Sequence, residues 1–243
     1  MHDQGSNIMI AIRAAKDRGE TRLDWLESHH SFSFADYQDP KHVDFGALRV
    51  INEDHIAPGG GFRPHDHRDM EIITYMIDGA LAHEDSMGNR FTIKAGEVQA
   101  MTAGVGISHS EFNASQTGPA HLLQIWLHPD REGHTPAYHQ RAFGADEKYG
   151  RFCPIAAGPD MEGREDAVLI QKNAILYGAI LGAGETLDYA PKPGRRIWVQ
   201  GVAGDMAVNG TKLGASDGAG ITDLAQLVFD SEKGCEFLLF DLD

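Results

Sequence analysis

Gly59-Gly60-Gly61-Phe62-Arg63-Pro64-His65-Asp66-His67-Arg68-Asp69-Met70-Glu71 runs directly into the apolar stretch Ile72-Ile73-Thr74-Tyr75-Met76-Ile77-Asp78-Gly79. On a β-strand the side chains of His-x-His fall on one face, so His65 and His67 can offer two imidazoles to a single point. Some forty residues on, Gly104-Val105-Gly106-Ile107-Ser108-His109-Ser110-Glu111-Phe112-Asn113 brings His109 and Glu111, again with shared strand parity. Three neutral imidazoles and one carboxylate suit a first-row divalent metal, and four such ligands leave positions on a five- or six-coordinate ion for exogenous groups. With 13 histidines in 243 residues, chance alone supplies about 0.7 His-x-His pairs per chain. The pair therefore carries weight only together with its glycines and with the second segment.

Working outward, short apolar runs from Phe45 to Trp126 are separated by Gly, Pro, Asn and Asp. That pattern predicts an antiparallel sandwich or barrel rather than alternating β and α units. Strands are expected at Leu48 to Ile51, Glu71 to Ile77, Ala80 to Glu84, Phe91 to Ile93, Val98 to Thr102 and His121 to Leu127, with Asp78-Gly79 as a hairpin turn. Toward the N-terminus a short strand is expected from Ile8 to Arg13, a turn or helical turn within Ala14 to Thr21, and strand-like alternation at Ser31 to Phe34. His29, His30 and His42 read as surface residues or as supports behind the ligands. Met70, Met76, Met101, Trp126 and Trp198 read as packing residues.

All 13 histidines lie at or before His139. Pro129 to Pro154 is polar and reads as a linker, and the region after it still shows strand and turn units, among them Arg196 to Gly201 and Phe237 to Leu242. Their order echoes the first half, as a degenerate repeat of period about 110 would. A second copy without histidine cannot rebuild the site, so the chain is divided into residues 1–135 with metal ligands and residues 136–243 without.

Gly59, the His65-x-His67 pair, Glu71 and Gly104-x-Gly106-x-x-His109-x-x-x-Asn113 resemble the two signature motifs of the cupin superfamily. Phe45 to Asp54, Asp69-Met70-Glu71-Ile72, His83-Glu84-Asp85-Ser86-Met87-Gly88-Asn89 and Thr102 to Asn113 are similar to the pirin family within it. The resemblance covers most of residues 25 to 140. It implies an all-β fold of two cupin-type antiparallel β-barrels (jelly rolls) packed face to face, the second lacking metal. It also implies that the acidic ligand is Glu111, although related cupins often take it from the position of Glu71. The implied cofactor is one divalent transition metal, Fe(II) first, with Ni, Mn, Co, Cu or Zn as alternatives. Pirins are associated with quercetin 2,3-dioxygenase activity. On that reading a small aromatic flavonol is the substrate, His65, His67 and His109 hold the ion, and Glu111 takes the 3-hydroxyl proton. The alternative is a regulatory metal-binding protein acting through a protein partner without turnover. Asp66 stands where many family members carry Pro.

Composition bounds the rest. Lys plus Arg number 21 against 36 Asp plus Glu, a formal charge of −15, and no segregated basic run offsets it, so direct nucleic-acid binding is not expected. Two cysteines, Cys153 and Cys235, point to a reducing compartment. The run Ile8 to Ile12 is too short for a signal-peptide core and no apolar run reaches membrane-spanning length, so a cytoplasmic protein is expected. His-Glu-x-x-His, Gly-x-Ser-x-Gly, phosphate-loop and Cys-x-x-Cys templates are absent. Gly182-Ala183-Gly184 and Gly218-Ala219-Gly220 read as loop turns.

Overall fold

The structure is a computed structural model that describes residues 9–243. It is almost entirely β, arranged as two sandwiches, each made of a seven-stranded and a four-stranded sheet. In the first, the large sheet runs in spatial order Ala137–Ala142, Glu97–Thr102, Glu71–Asp78, Ala120–Leu127, Leu48–Ile56, Leu26–His30, Gly19–Leu23. The small sheet runs Gly61–His67, Ile107–Asn113, Ala80–Asp85, Arg90–Lys94. The second repeats the plan with Ile10–Arg13, Gly218–Ile221, Arg196–Gly204, Cys235–Leu242, Ala174–Leu181, Cys153–Ala157 and Val168–Leu169 over Glu185–Tyr189, Leu227–Ser231, Met206–Val208 and Thr211–Leu213. Ladders are antiparallel except for the pairing of Cys153–Ala157 with Val168–Leu169. The jelly-roll halves remain two-sheet sandwiches and are not closed by a continuous hydrogen-bonded ladder.

Burial explains why the central strands are apolar on both faces. In Glu71–Asp78 the first six residues are all buried. Ile73 and Tyr75, with Ile51, Leu123 and Ile125 of neighbouring strands, enter one cluster with Ile155, Leu176, Trp198, Leu238 and Phe240 of the second half. That cluster is the seam where the two large sheets pack face to face. The alternate residues Ile72 and Thr74 point the other way, into the first sandwich, because side chains alternate along a strand. The interior of the second sandwich is filled instead by its own apolar cluster, including Phe229 and Phe237, with Phe152, Tyr177 and Tyr189 packed against it.

Several elements differ from the sequence reading. Ile10–Arg13 pairs with Gly218–Ile221 of the second half, and Ala137–Ala142 pairs with Glu97–Thr102 of the first. Each half thus lends a strand to the other's sheet, and a cut at residue 135 does not follow the sheets. The expected linker from Pro129 to Pro154 is occupied by that exchanged strand, by the helix Ala145–Lys148 and by the start of Cys153–Ala157. Lys148 is buried there and donates to Tyr75 Oη at 2.6 Å and to Glu236 at 2.5 Å, a cross-seam tie that a linker would not make. Asp78-Gly79 closes no hairpin, because the strands flanking it belong to different sheets and Gly79, at φ +75°, turns the chain from one to the other. The Asp85 to Asn89 turn does close one, with the Asp85 carboxylate accepting from the backbone N–H of Met87 and of Asn89. Ser31 to Phe34 lies outside the strands, and the ladder runs instead through Gly19–Leu23 and Leu26–His30. Ile8, expected to start the first strand, lies outside the described residues.

Gly218-Ala219-Gly220 is a strand and not a loop turn, because large rings cover both glycines. A Cβ on Gly218 would run into the indole of Trp198, and one on Gly220 would come within 2.7 Å of the Phe45 ring. Trp198 is itself buried in the seam, so it has nowhere to withdraw. Gly218→Ala is expected to cost about 1–3 kcal/mol by overpacking and to lower the thermal midpoint by roughly 2–10 °C. An unchanged melting curve would show that the indole moves aside freely.

Candidate metal centre

The small sheet of the first sandwich carries the histidines. Gly61–His67 pairs with Ile107–Asn113 so that His65 lies opposite His109 and His67 opposite Ile107. Gly61 allows the two strands to approach, since a Cβ there would collide with the Glu111 carbonyl. The donor atoms of His65, His67 and His109 lie within 4.8 Å of one another, and the Nε2 atoms of His65 and His109 are 3.1 Å apart. Two nitrogens each about 2.1 Å from one ion and at a right angle would sit about 3.0 Å apart, so the spacing matches adjacent ligands. His65 Nδ1 lies 2.8 Å from the Arg63 carbonyl. A carbonyl only accepts, so Nδ1 carries the hydrogen and Nε2 keeps its lone pair toward the centre.

Glu111 is placed differently from the three histidines. Between His109 and Glu111 the register slips, and Glu111 falls opposite Phe62 on one side and His83 on the other. The extra residue lies in Gly61–His67, between Phe62 and His65, while Ile107–Asn113 runs in unbroken register against Ala80–Asp85. On that regular strand Glu111 keeps the face of His109, and its carboxylate groups with His109 and His83, within 4.8 Å of both, in a second triad that shares His109 with the first. It is 2 % exposed; Gln124 Nε2 donates to its Oε2 at 2.8 Å, while Oε1 is buried without a partner. Burial pushes its carboxyl up to about 7, with the Gln124 hydrogen bond opposing.

His83 was not singled out as a candidate ligand from the sequence. Its Nε2 lies 3.1 Å from Asp85 Oδ2, a carboxylate held low by Asn89 and by His83 against the cost of burial. The proton therefore sits on Nε2, and the buried Nδ1 has no partner. The signal was available in His83-x-Asp85, two side chains on one face of a strand, but His83 was read only as part of the strand Ala80 to Glu84 and of the pirin-like segment.

Glu71, the other carboxylate considered, is on the wrong face. Asp69 takes φ +48° between the two strands, and Glu71 emerges toward the seam, where its Oε2 accepts from Thr102 Oγ1 at 2.8 Å and from the Gln171 N–H at 3.0 Å. Desolvation raises it to about 7.

Three buried atoms without partners, His109 Nδ1, His83 Nδ1 and Glu111 Oε1, lie in this one cluster. Unpaired buried polar atoms are costly and rare, and desolvation with mutual repulsion holds His67 at about 4 and His109 at about 2. Neutral imidazoles beside a carboxyl with an open oxygen are the donor set a divalent cation takes, so the residues present fit a metal.

His65, His67, His109 and Glu111 face a cavity of about 350 Å³, at the small end of the roughly 300–1,000 Å³ usual for small-molecule sites. Trp25, Phe34, Phe62, Ile72 and Trp126 give it apolar walls. Trp126, expected in the core, is a wall residue instead, edge-on to His67 with centroids 4.9 Å apart. His30, expected at the surface or behind the ligands, is 1 % exposed and also lines this cavity.

Residues 11–127 match the Pirin family and residues 157–242 the quercetinase C-terminal cupin domain. The chain is 43 % identical over 234 residues to a quercetin 2,3-dioxygenase of Escherichia coli K12, covering 96 % of this chain and 99 % of that one. It is 43 % identical to a pirin-like protein of Caulobacter vibrioides over 89 % of this chain and 92 % of the other. Among solved structures, the bacterial pirin YhhW of Escherichia coli in complex with nickel(II) superposes with a TM-score of 0.91 at 42 % identity, over 96 % of this chain and 99 % of that one. The chain belongs to the pirin family of bicupins.

Proposed function

We propose that this protein is a metal-dependent quercetin 2,3-dioxygenase, opening the heterocycle of a flavonol with dioxygen and releasing carbon monoxide. The observation that carries the reading is the meeting, in one cavity, of three converging imidazoles and a buried carboxyl with a free oxygen, under walls of aromatic side chains. The similarity to named quercetin dioxygenases at 41–43 % identity supports it.

His65, His67 and His109 would hold the ion, with Glu111 as the fourth group; Fe(II) is the proposed metal, and nickel(II) is the one present with the Escherichia coli relative. When bound, the ion acidifies a hydroxyl placed against it and brings substrate and dioxygen together. The Glu111 carboxylate, which lines the cavity, accepts the 3-hydroxyl proton of the flavonol, and Gln124 Nε2 holds it in orientation through Oε2. A base tuned near neutrality both takes and returns a proton readily, and burial supplies that tuning. Trp126, Phe62 and Phe34 hold a flat ring system and exclude water. No helix among the described residues is long and apolar enough to cross a membrane. Cys153 and Cys235 are buried and unpaired, which fits the reducing cytoplasm we infer.

In air, loss of flavonol absorbance should depend on added divalent metal. Glu111→Gln is expected to lower kcat by about 10²–10⁴-fold, and undiminished turnover would remove Glu111 from the chemistry. His67→Ala should purify with far less metal than wild type by elemental analysis while keeping its fold by circular dichroism, and equal metal content would exclude His67 as a ligand.

Metal uptake by metal-free protein should be linked to pH in a definite direction. His67 and His109 are already neutral above pH 5, whereas Glu111 is protonated below about 7 and must lose that proton to the incoming cation. Affinity is therefore expected to rise between pH 5.5 and 7.5, with close to one proton released per ion at the acid end, as calorimetry in buffers of different ionisation enthalpy would show. Proton-free uptake throughout would contradict the role given to Glu111.

A further inference from the structure

The cavity has a second polar region that the chemistry above leaves unused. Pairing of Leu26–His30 with Leu48–Ile56 sets Ser28 beside Asp54 and His30 beside Asn52. All four are buried and all four line the cavity. Ser28 Oγ donates to Asp54 Oδ1. His30 Nδ1 lies 2.8 Å from Asn52 Oδ1; an amide oxygen only accepts, so Nδ1 carries the hydrogen, and Nε2 then accepts from the Thr21 hydroxyl at 2.8 Å. Every polar atom so far named has a fixed partner and a fixed role.

Two atoms remain without a protein partner among the described residues: Asp54 Oδ2, an acceptor, and Asn52 Nδ2, a donor. Neither is among the polar atoms sealed away from solvent, so both open into the cavity that their residues line. Burial raises Asp54 to about 6, the Ser28 hydrogen bond opposing, so the group is mainly ionised at neutral pH. Asn52 and Asp54 are two residues apart on one strand face, their Cα atoms about 6.7 Å from each other. Asn52 is also the cross-strand neighbour of Gln124, the residue that holds Glu111. The second polar region therefore faces the same ligand as the metal centre. A single phenolic hydroxyl could donate to one open atom and accept from the other only where they lay within about two hydrogen-bond lengths, whereas two adjacent ones span the two-residue strand spacing: one hydroxyl donates to Asp54 and its neighbour accepts from Asn52. Leaving either open atom unpaired beneath an apolar ligand would cost affinity.

We propose that Asn52 and Asp54 form a catechol-recognising subsite, selecting substrates whose aromatic ring carries two adjacent hydroxyls on the side turned away from His65, His67 and His109. Ser28 and His30 are its positioning residues, each holding one atom of the recognising pair. The assignment rests on the flavonol reading and adds to it which flavonols are preferred.

The test compares three flavonols that differ only in that ring: quercetin with two adjacent hydroxyls, kaempferol with one, galangin with none. Dissociation constants are measured on the metal-loaded protein without dioxygen, by quenching of tryptophan fluorescence, and KM and kcat are measured in air. Wild type should bind quercetin about tenfold or more tighter than galangin, with kaempferol between. Asp54→Asn, at equal metal content, should weaken quercetin roughly tenfold, the order of one hydrogen bond to a charged group, and leave galangin within about twofold, the change appearing in KM rather than kcat. Ser28→Ala keeps Asp54 and frees only Oδ1; it should narrow the quercetin-to-galangin ratio less, and it carries the test if Asp54→Asn does not fold. Consumption of all three flavonols with no preference, or equal weakening of all three in the variants, overturns the subsite and leaves the dioxygenase reading standing. Failure of wild type to bind or consume any of them overturns both.

Discussion

The ladder between Gly61–His67 and Ile107–Asn113 is the constraint on which the site depends. It sets His65 across from His109, and neighbouring strands hold Cα positions far more tightly than loops do. Two local features tune it. Gly61 lets the strands close up where any side chain would strike the Glu111 carbonyl, and the regular ladder on the other side of Ile107–Asn113 sets Glu111 opposite His83, with its carboxylate in reach of Gln124. Glu111 stays in step with His109, one carboxylate oxygen clamped by the Gln124 amide and the other buried without a protein partner.

The large sheet behind that ladder has two buried faces with opposite chemistry. One face sends Ile51, Ile73, Tyr75, Leu123 and Ile125 into the seam with the second half. The other carries a polar row, His30, Asn52, Gln124, Thr74 and Gln99, each in register with the next across five strands. Burying such a row would be unfavourable unless its members pair. They do pair in part, His30 with Asn52 and Thr74 with both Gln124 and Gln99. The unspent amide of Asn52 is turned to the cavity, whereas that of Gln99 stays buried without a partner. In the second sandwich the corresponding space is filled by Phe152, Phe229 and Phe237 in edge-on and stacked contacts, so that half provides a rigid partner for the seam and no counterpart of the histidine-lined cavity. The exchanged strands Ile10–Arg13 and Ala137–Ala142 reinforce the seam, because separating the halves would also break two ladders.

Much of this was legible from residue patterns. Alternation and turn residues were enough to place most strands between Leu48 and Leu127 to within a few residues, since each is a local property of the chain. The His-x-His pair and the glycine-flanked His109 stood out for the same reason: strand parity puts ligands on one face without any knowledge of what lies opposite. Parity failed at Glu71, where one residue at positive φ, Asp69, reset which side faces inward. It held at Glu111, which keeps the face of His109, but parity within one strand could not announce His83 of the adjoining strand as a member of the same group. Trp126 was assigned to the core, and His30 to the surface or a place behind the ligands, because residue type was the only guide. Their place on the cavity wall follows from strand order, which brings Leu26–His30 and Ala120–Leu127 to either side of Leu48–Ile56.

By itself, then, the amino-acid order determined the β class, the presence of two similar halves, and the confinement of imidazole ligands to the first, because hydrophobic period and residue inventory do not depend on folding. Only the tertiary structure decided which carboxyl joins the histidines, which half owns each terminal strand of the large sheets, and that Asn52 and Asp54 share a cavity with His65. Those facts depend on pairings between segments distant in sequence, and register across such pairings is fixed by packing of the whole sheet rather than by any stretch within it.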